Sequence, residues 1–249
     1  MTHGSCPQLF YTRNDTLLYT HSNMNIKRSI LAIALAITAL PMAAQDTDPM
    51  KGKTMGVIGD SYVRNHKEPM ENTWHYKLAQ KHGMKYINYG RNGNCLTLDL
   101  KQWGTGVYHR YSQMSDSLDY IVVIGGHNDA ARIDSIGVET FKERLGELCR
   151  GMIDKWPEAR IFFFTPWCCE NFEGSSREKV VDAMLEVCGD YGIPVFDSAR
   201  RSGIHAASLA FRRKFFQRSD GKDTAHLNSR GHDRFMPVAE AFIMQYVGN

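Results

Sequence analysis

Five short apolar runs, separated by segments with helical periodicity, constrain the fold of this 249-residue chain more than any other feature. Runs that are apolar along most of their length are typical of strands covered on both faces of a sheet. The alternation of strands and helices therefore predicts the α/β class, with a central, mostly parallel sheet and helices on both faces. The predicted strands are residues 55–58, 86–89, 120–124, 160–165 and 194–197.

Four longer segments carry the helical pattern. A helix over residues 138–155 has apolar residues at helical spacing and stops before Pro157. Ser175 and Glu178 have the spacing of a capping box, which predicts a helix from there to about Tyr191. The other two predicted helices are residues 71–82 and 231–247. Because neither an internal repeat nor an interdomain linker interrupts the pattern, we predict a single domain over residues 45–249.

The first 44 residues differ from the rest of the chain. Lys27 and Arg28 precede an apolar run over residues 29–40, and small residues follow up to Ala44. The run is short for a membrane span, and the order of segments is that of a signal peptide. We therefore expect translation to start at Met24 and cleavage to follow Ala44, which predicts a periplasmic or secreted protein without a stable membrane anchor. A retained signal anchor is the alternative.

The charge balance excludes one class of partner. The chain has 30 basic and 27 acidic residues, a net charge of +3. Residues 1–44 hold three of the basic residues and one of the acidic ones, so the remainder carries +1. A nearly neutral domain gives no reason to expect a nucleic-acid partner.

The cysteines give no sign of a metal centre. Their number beyond residue 44 is odd, and the adjacent pair Cys168 and Cys169 lacks the spacing of a zinc site. Cys149 and Cys188 fall within predicted helices, where a buried thiol is expected, and the disulfide pairing stays open. We predict neither a metal nor a cofactor. The five cysteines in question are Cys95, Cys149, Cys168, Cys169 and Cys188.

Polar motifs follow the first three predicted strands. Ser61 follows the first, Asn92 and Gly93 follow the second, and residues 125–129 follow the third. In open α/β sheets, ligands bind outside the carboxyl ends of the strands. The three motifs should therefore share one edge of the sheet, where we expect the functional site.

The residue types at this edge predict nucleophilic catalysis. A serine hydroxyl is a weak nucleophile until a histidine takes its proton and a carboxylate orients that histidine. Ser61 is the candidate nucleophile, His226 the base and Asp223 the orienting acid. The candidate oxyanion donors are the Ser61 N–H, the Gly93 N–H and the Asn128 side-chain amide.

Other residues offer alternative roles. His127 and His232 are further imidazoles that could act as the base. No acid matches His127 as Asp223 matches His226, and His232 follows a glycine at the start of the last predicted helix. Asp60 could be catalytic or could hold the turn after the first strand. Trp103 and Trp167 lie in predicted loops and are candidates for stacking on a substrate.

Four sequence blocks together resemble the SGNH hydrolases, also called GDSL-type esterases. They are residues 59–62 (Gly-Asp-Ser-Tyr), 88–93 (Asn-Tyr-Gly-Arg-Asn-Gly), 126–129 (Gly-His-Asn-Asp) and 223–228 (Asp-Thr-Ala-His-Leu-Asn), within a resemblance that covers roughly 54–247. The resemblance implies a flavodoxin-like three-layer α/β/α sandwich and a metal-independent esterase, lipase, thioesterase or carbohydrate acetylesterase. Tyr62 replaces the leucine of the GDSL name, which leaves the size of the acyl pocket open.

The sequence thus predicts an exported serine esterase that hydrolyses short acyl esters through an acyl-enzyme, with O-acetyl groups on carbohydrate as the favoured substrate. Two alternatives stay open. One is a lysophospholipase or thioesterase that uses the same triad, and the other is a catalytically silent binding protein of the same fold.

Overall fold

The computed structural model of the protein describes residues 48–247. The predicted signal peptide, the start at Met24 and the cleavage after Ala44 lie outside the described residues. Within this range no helix combines the length and the apolar character that a membrane crossing needs.

A five-stranded sheet forms the centre, in the order β2-β1-β3-β4-β5, and every neighbouring pair is parallel. Gly59 of β1 pairs with Gly90 of β2 and with Ile124 of β3, so the carboxyl ends of these three strands lie side by side. The predicted strands are confirmed, with β5 shorter than expected. Their bounds are β1 Thr54–Gly59, β2 Lys85–Gly90, β3 Tyr120–Ile124, β4 Arg160–Phe164 and β5 Val195–Phe196.

Ten α-helices connect and cover the strands within residues 48–247. They are α1 Ser61–Arg64, α2 Trp74–Lys81, α3 Val107–Arg110, α4 His127–Ala130, α5 Ile133–Ile136, α6 Val138–Lys155, α7 Ser176–Asp190, α8 Ser198–Arg201, α9 Leu209–Phe215 and α10 Ser229–Met244. The bounds of α6 match the prediction. α7 begins where the capping motif predicted, since the Ser175 hydroxyl accepts a hydrogen bond from the Glu178 N–H at 3.1 Å.

The N-terminal bounds of two helices differ from the prediction because of capping side chains. α2 begins at Trp74 because Thr73 is extended and its hydroxyl caps the helix. The residues before it, Met70–Asn72, form a 3₁₀ turn instead. α10 begins at Ser229 because the Asn228 side chain accepts from the Gly231 N–H at 3.0 Å.

Apolar side chains pack on both faces of the sheet. On β4, Phe162 and Phe164 point to one face and Phe163 to the other. The first face is covered by α2 and α10 through side chains such as Trp74 and Phe235. The second face is covered by α6 and α7. Each fully buried aromatic or aliphatic side chain contributes about 1.5–3 kcal/mol, so the two layers fix the three-layer α/β/α arrangement.

Candidate active site

The turn after β1 brings Ser61 to the edge of the sheet. Gly59 is packed against the carbonyl of Ile124 so closely that a Cβ at this position would overlap it. Asp60 then caps α1, because its Oδ1 accepts a hydrogen bond from the Tyr62 N–H at 2.8 Å. Ser61 is therefore the first residue of a helix that begins directly at the strand end.

Ser61, His226 and Asp223 form a continuous series of hydrogen bonds. The Ser61 Oγ lies 2.9 Å from the His226 Nε2. The other ring nitrogen, Nδ1, lies 3.0 Å and 3.2 Å from the two carboxylate oxygens of Asp223. A neutral His226 with its proton on Nδ1 would donate to Asp223 and leave Nε2 able to accept the serine proton.

The carboxylate of Asp223 is held by its own loop. Its Oδ1 accepts from the backbone N–H groups of Ala225 at 2.8 Å and His226 at 2.9 Å. Burial acts to raise the pKa of Asp223, but the hydrogen bonds from His226 and Ala225 outweigh it and lower the pKa to about 2. Asp223 is thus ionised at neutral pH and fixed in orientation toward the ring.

Gly93 lies in the turn after β2 with a φ of +73°, a backbone conformation that favours glycine. The indole of Trp103 covers its Cα, so that a Cβ would overlap the ring. Trp103 keeps 38% of its surface exposed. A partly exposed aromatic ring therefore packs against the residue whose N–H is predicted to bind the oxyanion.

Asn128 lies in the first turn of α4, and its amide is already engaged. Its Nδ2 donates to Asp60 Oδ2 at 3.1 Å and to the Asn94 carbonyl at 2.9 Å. Both amide hydrogens thus have protein acceptors, and an oxyanion would have to share or displace one of them. Asp60 is buried, and this burial raises its pKa to about 7. Through its contacts to Tyr62 and Asn128, Asp60 stabilises the turn after β1.

A buried arginine, Arg110, connects these elements, and sequence reasoning missed it. Its guanidinium donates to the Gly59 carbonyl at 3.2 Å and to the Tyr89 carbonyl at 2.9 Å, which joins the ends of β1 and β2. It also donates to Asn94 Oδ1 at 2.9 Å, and Asn94 in turn holds Asn128. No local pattern around Arg110 signals this role.

His66 is a second residue that sequence reasoning missed. Its ring stacks on that of His226 with 4.1 Å between centroids and 10° between planes. The backbone holds it there in the left-handed region with φ +50°, and its N–H donates to the Ser61 carbonyl at 3.2 Å. The only sequence signal is a histidine close to Ser61.

The alternative bases have other partners. His232 is buried, its Nδ1 accepts from the Trp74 N–H at 3.3 Å, and its Nε2 lies 3.2 Å from Asn65 Oδ1. The Nδ1 of His127 faces Arg177 and Tyr62. Neither ring is hydrogen-bonded to Ser61, whereas His226 is.

The two tryptophans suggested for substrate stacking differ in exposure. Trp167 is buried, stacks on Tyr62 at 5.4 Å between centroids, and donates its indole N–H to the Ala225 carbonyl at 3.0 Å. It therefore supports the wall of the site, and only Trp103 of the two presents a face to solvent.

The structure shows neither a disulfide nor a metal-binding cluster among residues 48–247. The five cysteines in residues 48–247 are free thiols, and the Sγ atoms of Cys149 and Cys188 lie 3.8 Å apart between α6 and α7. No group of three histidine, cysteine or acidic side chains in the described part of the chain is placed to hold a metal ion.

Comparison with known families decides the assignment. The family described as GDSL-like Lipase/Acylhydrolase matches residues 57–234. The chain belongs to this family. It is accordingly a hydrolase that acts on ester bonds, and the predicted resemblance is confirmed. No curated protein matches the sequence significantly.

Solved structures share the fold of this GDSL-like hydrolase. A protein from Lactobacillus plantarum is 22% identical, with a TM-score of 0.67 over 79% of this chain and 98% of that one. A protein from Bacteroides ovatus assigned to the GDSL-like lipases is 16% identical, with a TM-score of 0.58 over 78% and 99%. The psychrotrophic esterase EstA from Pseudoalteromonas sp. is 14% identical, with a TM-score of 0.60 over 79% and 100%.

Proposed function

We propose that this GDSL-like hydrolase is an exported serine esterase that removes short acyl groups, acetyl above all, from carbohydrates or similar polar esters. The observation that carries the proposal is the 2.9 Å contact between Ser61 Oγ and His226 Nε2, with Asp223 behind the ring. Export rests on the signal-peptide pattern of residues 1–44.

The proposed reaction has two halves. Ser61 Oγ attacks the ester carbonyl while His226 Nε2 takes the hydroxyl proton, and the oxyanion binds the N–H groups of Ser61 and Gly93 and the amide of Asn128. Collapse of this intermediate breaks the bond to the alcohol, which leaves with the proton from His226. Water then attacks the acyl-enzyme, passes a proton to His226, and releases the carboxylic acid as that proton returns to Ser61.

One cavity beside Ser61 is too small for a long acyl chain. Its volume is about 10 Å³, enough for about one water molecule, and its walls include Tyr62, Ile124 and Trp167. The stack of Tyr62 on Trp167 makes this wall bulky. A long acyl chain could enter this cavity only if these rings moved, which favours a short acyl group.

Activity measurements test the nucleophile. We expect Ser61→Ala to lower kcat for p-nitrophenyl acetate by about 10⁴-fold or more, because the acyl-enzyme cannot form. Ser198→Ala is the matched control, because Ser198 is also buried but its hydroxyl has no hydrogen-bond partner among residues 48–247. Full activity of Ser61→Ala would contradict the proposal.

Substrate profiling and labelling separate the alternatives. Activity on p-nitrophenyl esters should fall as the acyl chain lengthens, whereas a maximum at long chains would favour a lysophospholipase. Hydrolysis of acyl thioesters in preference to oxygen esters would favour a thioesterase. The EstA structure is described as inhibited by monoethylphosphonate, which supports the use of a fluorophosphonate probe. Absence of labelling at Ser61 would favour a silent binding protein.

The mature N-terminus tests export. Mass spectrometry of the protein recovered from the periplasm or medium should find Gln45 as the first residue. A mature protein that begins at Met1 would contradict the proposed cleavage.

A further inference from the structure

His127, next to Asn128, has an environment that fixes its protonation state. The Nδ1 of its ring lies 3.1 Å from Arg177 Nη2 and 3.3 Å from the Tyr62 hydroxyl. A guanidinium has only donors, so Nδ1 must be the acceptor and cannot carry a proton. The ring proton is therefore on Nε2, which makes His127 a neutral N–H donor.

The charge of Arg177 reinforces this state. Within residues 48–247 the guanidinium forms no ion pair, and its Nη1 donates to the carbonyls of Trp167 and Cys168 at 3.2 Å and 3.4 Å. Burial and this positive charge, with a smaller effect from His226, lower the pKa of His127 to about 3, although Asp223 acts in the opposite direction. Tyr62 stays a hydroxyl donor, because burial raises its pKa.

The Nε2 donor is left without a partner in the described part of the protein. It makes no hydrogen bond to residues 48–247, and it is not sealed from solvent. The ring centroid of His127 lies 5.6 Å from that of Tyr62, and the centroid of Tyr62 lies 6.4 Å from that of His226. Tyr62 thus packs between the donor and the catalytic base, and Asn128, the residue after His127, is a predicted oxyanion donor. A fixed, unpartnered donor at this place fits an acceptor atom of the substrate.

We propose that the Nε2–H of His127 binds an acceptor oxygen of the ester substrate near the scissile carbonyl, and that Arg177 is the positioning residue that keeps this donor in place. The proposal rests on the proposed esterase function and deepens it. It selects esters with an ether, hydroxyl or carbonyl oxygen close to the reacting carbon over esters with methylene groups there.

Isosteric substrates measure this selection. One pair places an oxygen in the alcohol: 2-methoxyethyl acetate against butyl acetate. The other places it in the acyl group: ethyl methoxyacetate against ethyl butanoate. For each pair we compare kcat/KM of the oxygen-containing ester with kcat/KM of its methylene counterpart. One hydrogen bond is worth about a five- to tenfold preference in this ratio, so His127→Phe should lower the ratio by that factor in at least one pair. The affected pair tells which side of the ester carries the oxygen.

His127→Gln is the conservative variant. Its side chain retains an N–H donor of similar reach, so the ratio should stay within about threefold of the wild-type value. An unchanged ratio in both pairs for His127→Phe, or an equal ratio loss in Phe and Gln, would overturn the proposal. Fluorophosphonate labelling of Ser61 in the same preparations separates the test of the esterase function from the test of His127. If Ser61 is labelled but the ratio is unchanged in His127→Phe, only the role of His127 is refuted.

The tautomer is measured independently by ¹H–¹⁵N NMR of the histidine rings, with His127→Gln to assign the signal. His127 should be protonated on Nε2 alone and should not titrate between pH 5 and 8. In Arg177→Met the pKa of His127 should rise, because the cation and the donor are gone, but it should stay below its usual value, because burial is the larger cause of the shift. A wild-type ring protonated on Nδ1, or a ring whose tautomer and pKa are both unchanged in Arg177→Met, would overturn the role of Arg177.

Discussion

Gly93→Ala tests whether the turn after β2 supplies an oxyanion donor. Two features of the structure make the substitution costly. The residue has a φ of +73°, and an alanine Cβ would overlap the Trp103 indole, with Cε3 and Cγ only 2.6 Å and 2.7 Å away. In the variant, the N–H of this residue cannot keep its position unless the backbone strain and the overlap with Trp103 are both relieved.

The magnitude has two parts. An L-residue in the left-handed region costs about 1–2 kcal/mol. The overlap with Trp103 adds about 1–3 kcal/mol, nearer the lower figure because the exposed indole can swing outward. We therefore expect Gly93→Ala to lower the free energy of unfolding by about 2–4 kcal/mol. Displacement of the N–H should also lower kcat, by up to about 10²–10³-fold for a complete loss of one oxyanion donor.

Gly192→Ala is the matched control. Gly192 has a φ of +65°, none of the described residues comes within 4 Å of where an alanine Cβ would lie, and it precedes β5 at the opposite edge of the sheet. It should lose only about 1–2 kcal/mol in urea unfolding and keep its kcat. The double variant Gly93→Ala/Trp103→Ala should recover the part of the stability lost to overlap. If Gly93→Ala is destabilised but keeps kcat within about threefold, its N–H is no oxyanion donor.

Two further predictions concern the neighbours of Ser61. Burial raises the pKa of Asp60 to about 7 in the folded protein, above its usual value of 3.8. The folded state therefore binds this proton more tightly than the unfolded chain. The resulting contribution to the free energy of unfolding is complete below about pH 4 and is lost as the pH rises through about 7. Urea unfolding should show a loss of up to about 4 kcal/mol between pH 4 and 8 that is absent in Asp60→Asn, and equal pH profiles would contradict this. His66→Phe retains a flat ring on His226 and should keep kcat/KM within about threefold. His66→Ala should lose about tenfold, whereas equal losses would exclude a role for stacking.

The fold could be predicted because its signals are local. Buried strands read as continuous apolar runs, as in β3, whose bounds match the prediction. The long amphipathic helix α6 matches for the same reason. Helices of four residues such as α1 and α3 were not predicted, because one turn is too short to show a 3.6-residue period.

The candidate site, like the fold, could be predicted only in part. Ser61, Gly93 and Asn128 could be placed together because parallel strands end at one edge, and Asp223 reaches His226 because the two lie three positions apart. These inferences need only strand order and local spacing. The contacts that hold these residues in place could not be predicted in this way, since they join residues far apart in the sequence.

Arg177 and His127 show why such contacts escape a sequence. Arg177 is the third residue of the capping motif that opens α7, and its sequence context predicts only an exposed helix residue. The guanidinium reaches His127, 50 positions earlier, because α4 and α7 pack on the same face of the sheet. The blocks shared with the family thus indicate the chemistry at Ser61, whereas the features that select a substrate lie in side chains between the blocks. If His127 binds the substrate, specificity within this fold depends on the residue before Asn128 and on the helix that orients it.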